Sequence, residues 1–217
     1  MKAVIFDKDG VLVETFNLYF EAYKKILSQI RIKITEDDIA KRYGMKGPEI
    51  IKQIIEENKK KMTDEEIEKL ANEKDKIYIK LSEKKLKLLP GVKKLLIYLK
   101  KKKYKIGIAS SASKKIVEQM VEVTKIKNYV DTTVHGFEVK SSKPDPEIFL
   151  KCAEKLKVKP EDCIVFEDSI HGIKAAKKAG MKSVAVTTGQ TSREELEKMQ
   201  PDWILNTLED FNKIEVL

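Results

Sequence analysis

The feature that most limits what this chain can fold into is a change of hydrophobic period along it. Lys2-Ala3-Val4-Ile5-Phe6 is a compact apolar run that stops at Asp7-Lys8-Asp9-Gly10, which reads as a buried parallel strand with two carboxylates at its C-terminal end. From residue 15 to 85 the pattern is helical only. Phe16, Tyr19, Phe20, Tyr23 and Leu27 recur at helical spacing, then Ile50, Ile51, Ile54 and Ile55, then Ile67, Leu70, Lys74, Ile77 and Leu81, with Gly44 and Gly47-Pro48 as punctuation. After Leu89-Pro90-Gly91 short apolar strands (104–109, 129–134, 163–166, 183–186) alternate with helices (92–102, 113–123, 147–156, 169–179). That alternation predicts an α/β fold, a doubly wound parallel sheet of Rossmann-like type, interrupted after its first strand by an all-helical insert. The expected division is a core of residues 1–14 and 87–217 and a cap of residues 15–86. Such sheets place their sites at the C-terminal strand ends, so the insert is expected to lie over that edge.

Composition narrows the function classes. The net charge of +9 comes from 44 basic and 35 acidic residues, but only Arg31, Arg42 and Arg193 among the basic ones are arginine. Base edges and phosphate forks favour Arg, so a surface made of Lys and Glu reads as solvated rather than as a nucleic-acid reader. The excess suits small anionic ligands in general. The longest apolar stretches, near residues 3–6 and 106–109, fall far short of the ~18 residues of a membrane span, and no apolar leader follows Met1, so a cytoplasmic protein is expected. Cys152 and Cys163 lack C-x-x-C spacing and read as reduced, buried packing thiols. No exposed heptad is visible, which fits a monomer or weak homo-oligomer.

The chemistry gathers just past the strands. The first strand supplies Asp7 and Asp9, the second Ser110 and Ser111, and the fourth Glu167 and Asp168, while Lys143 follows the third through Ser141-Ser142. The topology brings all of them to one rim. Carboxylates crowded there repel one another unless a cation sits among them, and hard oxygen ligands favour Mg²⁺. A hydroxyl and a lysine beside them neutralise a phosphoryl group in transfer. One carboxylate can attack phosphorus while the other handles the leaving-group proton. The pair is expected to point to opposite sides through strand alternation, and the residues alone do not say which of Asp7 and Asp9 attacks. Ser113 is the expected cap of the following helix, leaving Ser110 free for phosphate.

These segments carry a resemblance. Asp7-Lys8-Asp9-Gly10-Val11-Leu12-Val13-Glu14-Thr15, Ile106-Gly107-Ile108-Ala109-Ser110-Ser111, Ser142-Lys143-Pro144-Asp145-Pro146-Glu147, and Phe166-Glu167-Asp168-Ser169 with Gly172, Ala175, Ala176 and Gly180 resemble the four motifs of the haloacid dehalogenase superfamily, in that family's order and over the whole chain. The helical insert and the Glu-Asp form of the last motif resemble its β-phosphoglucomutase-like branch. The resemblance implies a Mg²⁺-dependent phosphatase of small phosphorylated metabolites acting through an aspartyl phosphate. It makes Asp7 the nucleophile, Asp9 the general acid and base, and Ser110 and Lys143 the phosphate holders. It makes Asp168, Asp7, the Asp9 carbonyl and Glu167, directly or through water, the metal set.

In the cap, Lys74 matches a substrate-facing lysine of that branch, and Gly44-Met45-Lys46-Gly47 matches the cap loop that approaches the ligand. Tyr19 and Gly47 stand where the mutases have a histidine and an arginine, which argues for a phosphatase over a phosphomutase. Asp9 argues against a dehalogenase, which lacks the second aspartate. A phosphate-binding regulatory module would be shorter and lack the insert. His135 and His171 have no nucleophile context and read as ordinary polar residues.

Overall fold

The computed structural model describes residues 1–217. Six strands, β1 (Ala3–Phe6), β2 (Lys105–Ser110), β3 (Thr132–His135), β4 (Cys163–Glu167), β5 (Lys182–Val186) and β6 (Trp203–Leu205), form one sheet in the order β3-β2-β1-β4-β5-β6, every pair parallel. Strand β1 lies inside it, Ile5 facing Gly107 on one side and Val165 on the other. Chain order reverses across β1, so the crevice beyond the C-terminal ends of β1 and β4 is the expected ligand position. Those ends carry Asp7 and Glu167-Asp168.

Alternation along β1 sends Val4 and Phe6 into one apolar layer and Ala3 and Ile5 into the other. The second layer is covered by α7 (Glu147–Leu156) and α8 (Ile170–Lys178). Gly107 is where α7 comes closest to the sheet: a Cβ there would sit 2.4 Å from the Cys152 sulfur, so only a glycine lets the helix pack at that depth. The first layer is covered by α5 (Val92–Lys101) and α6 (Lys114–Val123), and it continues through Val11, Leu12 and Val13 into the insert.

The insert is α1 (Phe16–Gln29), α2 (Glu36–Ala40), α3 (Gly47–Glu57) and α4 (Asp64–Lys85). Capping boxes at Thr35 and Thr63 start α2 and α4, and Pro48 opens α3, so each start has a local cause. The two chain crossings between sheet and insert touch at Val13 and Leu88, and Leu89 N–H donates to the Leu12 carbonyl. The buried face of α4 runs Ile67, Leu70, Ala71, Lys74, Tyr78, Ser82, so Ile77 and Leu81 lie at its margin rather than its centre. Three pieces escape the periodicity reading: β6 at the sheet edge, α9 (Arg193–Lys198) and the six-residue turn of 3₁₀ helix Leu208–Lys213. Strand β3 also starts three residues later than expected, after a short 3₁₀ turn at Lys127–Tyr129. No helix is long and apolar enough to cross a membrane.

Candidate active site

Strand β1 ends at Phe6, and Asp7 to Val13 form a tight loop in which Gly10 takes φ +70 and Gly10 N–H donates to the Val13 carbonyl. The loop therefore separates the two aspartates, and strand alternation does not. The expectation of opposite sides from alternation fails on geometry, because residues two apart in a strand share a face. Asp7 is buried against the sheet, whereas Asp9 lies one turn outward, its N–H donating to Asp7 Oδ2 at 2.9 Å.

Lys143 arrives from the loop after β3 and bridges two carboxylates, its Nζ 2.5 Å from Asp7 Oδ1 and 2.5 Å from Glu167 Oε1. Burial opposes its charge, but Asp7 and Glu167 outweigh that and hold the ammonium above the ordinary lysine value. Glu167's other oxygen accepts the N–H groups of Asp168 and Ser169 and the Ser169 hydroxyl, at 2.9 to 3.0 Å. Both oxygens of Glu167 are thus committed within the protein. Gly172 leaves room for this carboxylate, since a Cβ there would lie 1.8 Å from it.

Asp168 differs. Its Oδ2 is buried and has no hydrogen-bond partner. Glycines make its niche: a Cβ at Gly189 would sit 1.7 Å from that oxygen and one at Gly10 2.1 Å. Gly189 and Thr188, whose hydroxyl donates to the Gly10 carbonyl at 2.5 Å, come from the loop after β5, which the motif reading left out. Burial first, then Glu167 and Asp7, push the Asp168 carboxyl well above the usual carboxylate range, and burial pushes Asp7 up to about 7 against the pull of Lys143. Fully ionised, Asp7, Asp9, Glu167 and Asp168 would face only Lys143 and Lys8 as paired cations, leaving two negative charges unmatched. A divalent cation fits that deficit and the orphaned Asp168 oxygen. No three Asp, Glu, His or Cys side chains converge on one point, so such an ion must draw part of its shell from other oxygens.

Of the remaining expected residues, Ser111 and Lys74 line the cavity and Ser110 does not. Ser110, at the end of β2, is buried and its Oγ accepts the Ala112 N–H at 3.2 Å; Ser111 lines the cavity. Ser113 occupies the N-cap position of α6 but caps nothing with its side chain; its hydroxyl is buried, without a partner, along the cavity wall. Ser113 therefore does not free Ser110 by capping α6 as expected. His135 stands 3.4 Å from the Glu138 carboxylate and, like His171, is absent from the cavity wall.

The insert closes the cavity from above. Lys74 is buried, its Nζ 2.5 Å from Asp75 and 5.2 and 5.3 Å from the ring centres of Tyr19 and Tyr23. Burial lowers its pKa, partly offset by Asp75. A Cβ at Gly47 would approach this ammonium to 3.3 Å, so any side chain at 47 crowds the end of Lys74. Tyr43, Asn72 and Asp75, unassigned from sequence, also line the cavity. Lys46 donates to the carbonyls of Val139 and Lys140, and Glu49 accepts from Ser142, so α3 and its preceding loop brace the segment that carries Lys143.

A helical cap seated on the acidic rim of a doubly wound sheet defines a capped α/β enzyme class. Within it, residues 4–186 match the model of the haloacid dehalogenase-like hydrolases, and the chain belongs to that family. It is 35% identical over 218 residues to a phosphorylated carbohydrates phosphatase of Thermotoga maritima, covering 97% of this chain and 99% of the relative. To a β-phosphoglucomutase of Bacillus subtilis it is 38% identical over 196 residues, 88% and 85% of the two chains. The crystal structure of a β-phosphoglucomutase from Clostridium difficile superposes with a TM-score of 0.89 at 31% identity, covering 100% of this chain and 96% of that one.

Proposed function

We propose that the chain is a Mg²⁺-dependent phosphatase of phosphorylated carbohydrates that works through an aspartyl phosphate on Asp7. The observation that carries the reading is the bridged pair Asp7–Lys143–Glu167 beside the unpartnered Asp168 oxygen. Asp7 is the buried carboxylate held by the sheet, which suits attack on phosphorus. Lys143 offsets charge on the transferred phosphoryl group, and Ser110 and Ser111 supply hydroxyls at its edge. Glu167, its oxygens already engaged, acts by holding Lys143.

Asp168, Asp7 and the Asp9 carbonyl are the residues to hold the ion, which supplies charge neutralisation between the anionic nucleophile and the phosphate. In the first half-reaction an Asp7 oxygen bonds to phosphorus, the phosphorus–oxygen bond to the sugar breaks, and Asp9 gives that oxygen its proton. In the second, Asp9 takes a proton from water as the water oxygen attacks the same phosphorus, releasing phosphate and restoring Asp7. The division into a core of 1–14 and 87–217 and a cap of 15–86 fits this chemistry, with the cap excluding bulk water and presenting Lys74 to the substrate.

The names of the relatives support a carbohydrate phosphate as substrate. The second reading, a phosphomutase, rests on the B. subtilis relative. Tyr19 and Gly47 weigh against it, since Lys74 already fills the space beside Gly47. Incubation with sugar phosphates and Mg²⁺ tests the choice: inorganic phosphate should accumulate, and rapid isomerisation of a sugar 1-phosphate with little phosphate release overturns it.

A further inference from the structure

Lys8 sits between the two aspartates of the first loop, and the chemistry above gives it no task. Its side chain is entirely buried. The ammonium pairs with Asp9 Oδ1, lies 3.4 Å from the Tyr19 hydroxyl, and stands 5.3 and 5.5 Å from the ring centres of Tyr19 and Tyr78. Tyr19 is on α1 and Tyr78 on α4, so beyond Asp9 this core lysine's ammonium meets side chains of the cap. An apolar side chain of equal length fills the same slot without burying a charge, and a buried ammonium is unfavourable unless its partner needs it.

That partner is one oxygen of Asp9. The same Oδ1 also accepts the Thr15 hydroxyl at 2.5 Å, and Thr15 in turn meets the Tyr43 hydroxyl at 2.7 Å. Oδ2 makes no hydrogen bond, and Asp9 lines the cavity. One oxygen is therefore tethered and the other left for the reaction.

We propose that Lys8 is a positioning residue for proton transfer: clamped by the cap tyrosines, it anchors Asp9 Oδ1 so that Oδ2 faces the leaving-group oxygen. The proposal rests on the phosphatase reading. It requires that Lys8 matter in proportion to how much the departing oxygen needs a proton. A sugar alkoxide needs one; a nitrophenolate does not.

The test compares the single-turnover rate of Asp7 phosphorylation, the half-reaction in which Asp9 gives its proton to the leaving group, by a sugar phosphate and by p-nitrophenyl phosphate in the wild type, Lys8→Met and Asp9→Asn, and in the double variant. Lys8→Met should lower that rate for the sugar phosphate roughly 10–100-fold, part of the 10²–10⁴-fold worth of the acid itself, while the nitrophenyl ester loses less than about threefold. In the Asp9→Asn background the same change should have no further effect, because the group it orients is gone. Equal losses on both esters, a loss that persists without Asp9, or no loss at all overturns the proposal. Should Lys8→Met fail to fold, Lys8→Gln reports the same ratio between the two esters, and equal losses there are equally decisive. Failure of the parent reading looks different: Asp7→Asn would then turn over both esters as fast as the wild type.

Discussion

The rim and the cap face hold their charges in opposite ways. At the rim, Asp7, Lys143 and Glu167 are locked by short hydrogen bonds on strand ends, with Glu167 additionally satisfied by the start of α8. On the cap face, Lys74 and Asp75 pair beside Tyr19 and Tyr23 on helices whose packing is apolar. The rim tolerates little displacement, since reacting groups lose rate steeply when misplaced by an ångström. On the phosphatase reading, the cap side chains around Lys74 act on affinity, whereas Tyr19 and Tyr78 also reach Lys8. Rim and cap residues meet at one cavity.

The rim is most sensitive at Asp7. Asp7→Asn keeps the shape and removes the nucleophile, so phosphate release should fall by about 10⁴-fold or more, and no phosphoryl adduct should be found by mass spectrometry of the variant. An adduct mapped to Asp9 reverses the two roles.

The Asp168 niche comes next. A Cβ on Gly189 would intrude to 1.7 Å of the orphaned oxygen, so Gly189→Ala should raise the Mg²⁺ concentration for half-maximal turnover about 10–100-fold while leaving a folded protein. An unchanged Mg²⁺ titration would remove Asp168 from the ion's shell.

At the cap the effect should move from kcat to KM. Lys74→Met removes a buried cation at similar length; steady-state kinetics with a sugar phosphate should show KM up roughly 10–100-fold, the scale of one charged hydrogen bond, and kcat within about threefold. A matching fall in kcat would put Lys74 in the chemistry and erase the contrast between cap and rim.

The smallest effect is thermodynamic. In chelator, burial holds Asp7 up at about 7 from an ordinary 3.8, so between those values the folded state binds more protons than the unfolded one. The stability contributed by this group is present at low pH and lost as pH rises through that window. The Tm advantage of Asp7→Asn over the wild type in chelator should grow by on the order of 5 °C from pH 4 to pH 8 and shrink when Mg²⁺ is added. A difference flat with pH in thermal melts would mean Lys143 fully compensates the buried charge.

Much of this site is legible in the residue order. Apolar runs ending in Asp7-Lys8-Asp9-Gly10 and Phe166-Glu167-Asp168 mark strand ends, because a strand's period and its terminating turn depend on adjacent residues only. The Ser192-to-Glu195 capping box that starts α9 was equally local and equally readable. Strand β6 was not: the half-buried Trp203 and Ile204 and the buried Leu205 at a sheet edge carry no periodicity of their own and form a strand where β5 offers them hydrogen bonds.

Local spacing set the order of β1 to β5 and of the helices between them, the insert after the first strand, and which side chains stand at the strand ends. Only the tertiary structure decided who partners whom. It set Lys143 on Asp7, 136 residues away, and turned Tyr78 inward on α4 in place of Ile77. It left Ser113 uncapping and Asp168 unpartnered, and sealed Lys8 under tyrosines of another element. The reason is physical: partnership and burial depend on which surfaces meet when the chain closes, and residues far apart in sequence settle that together.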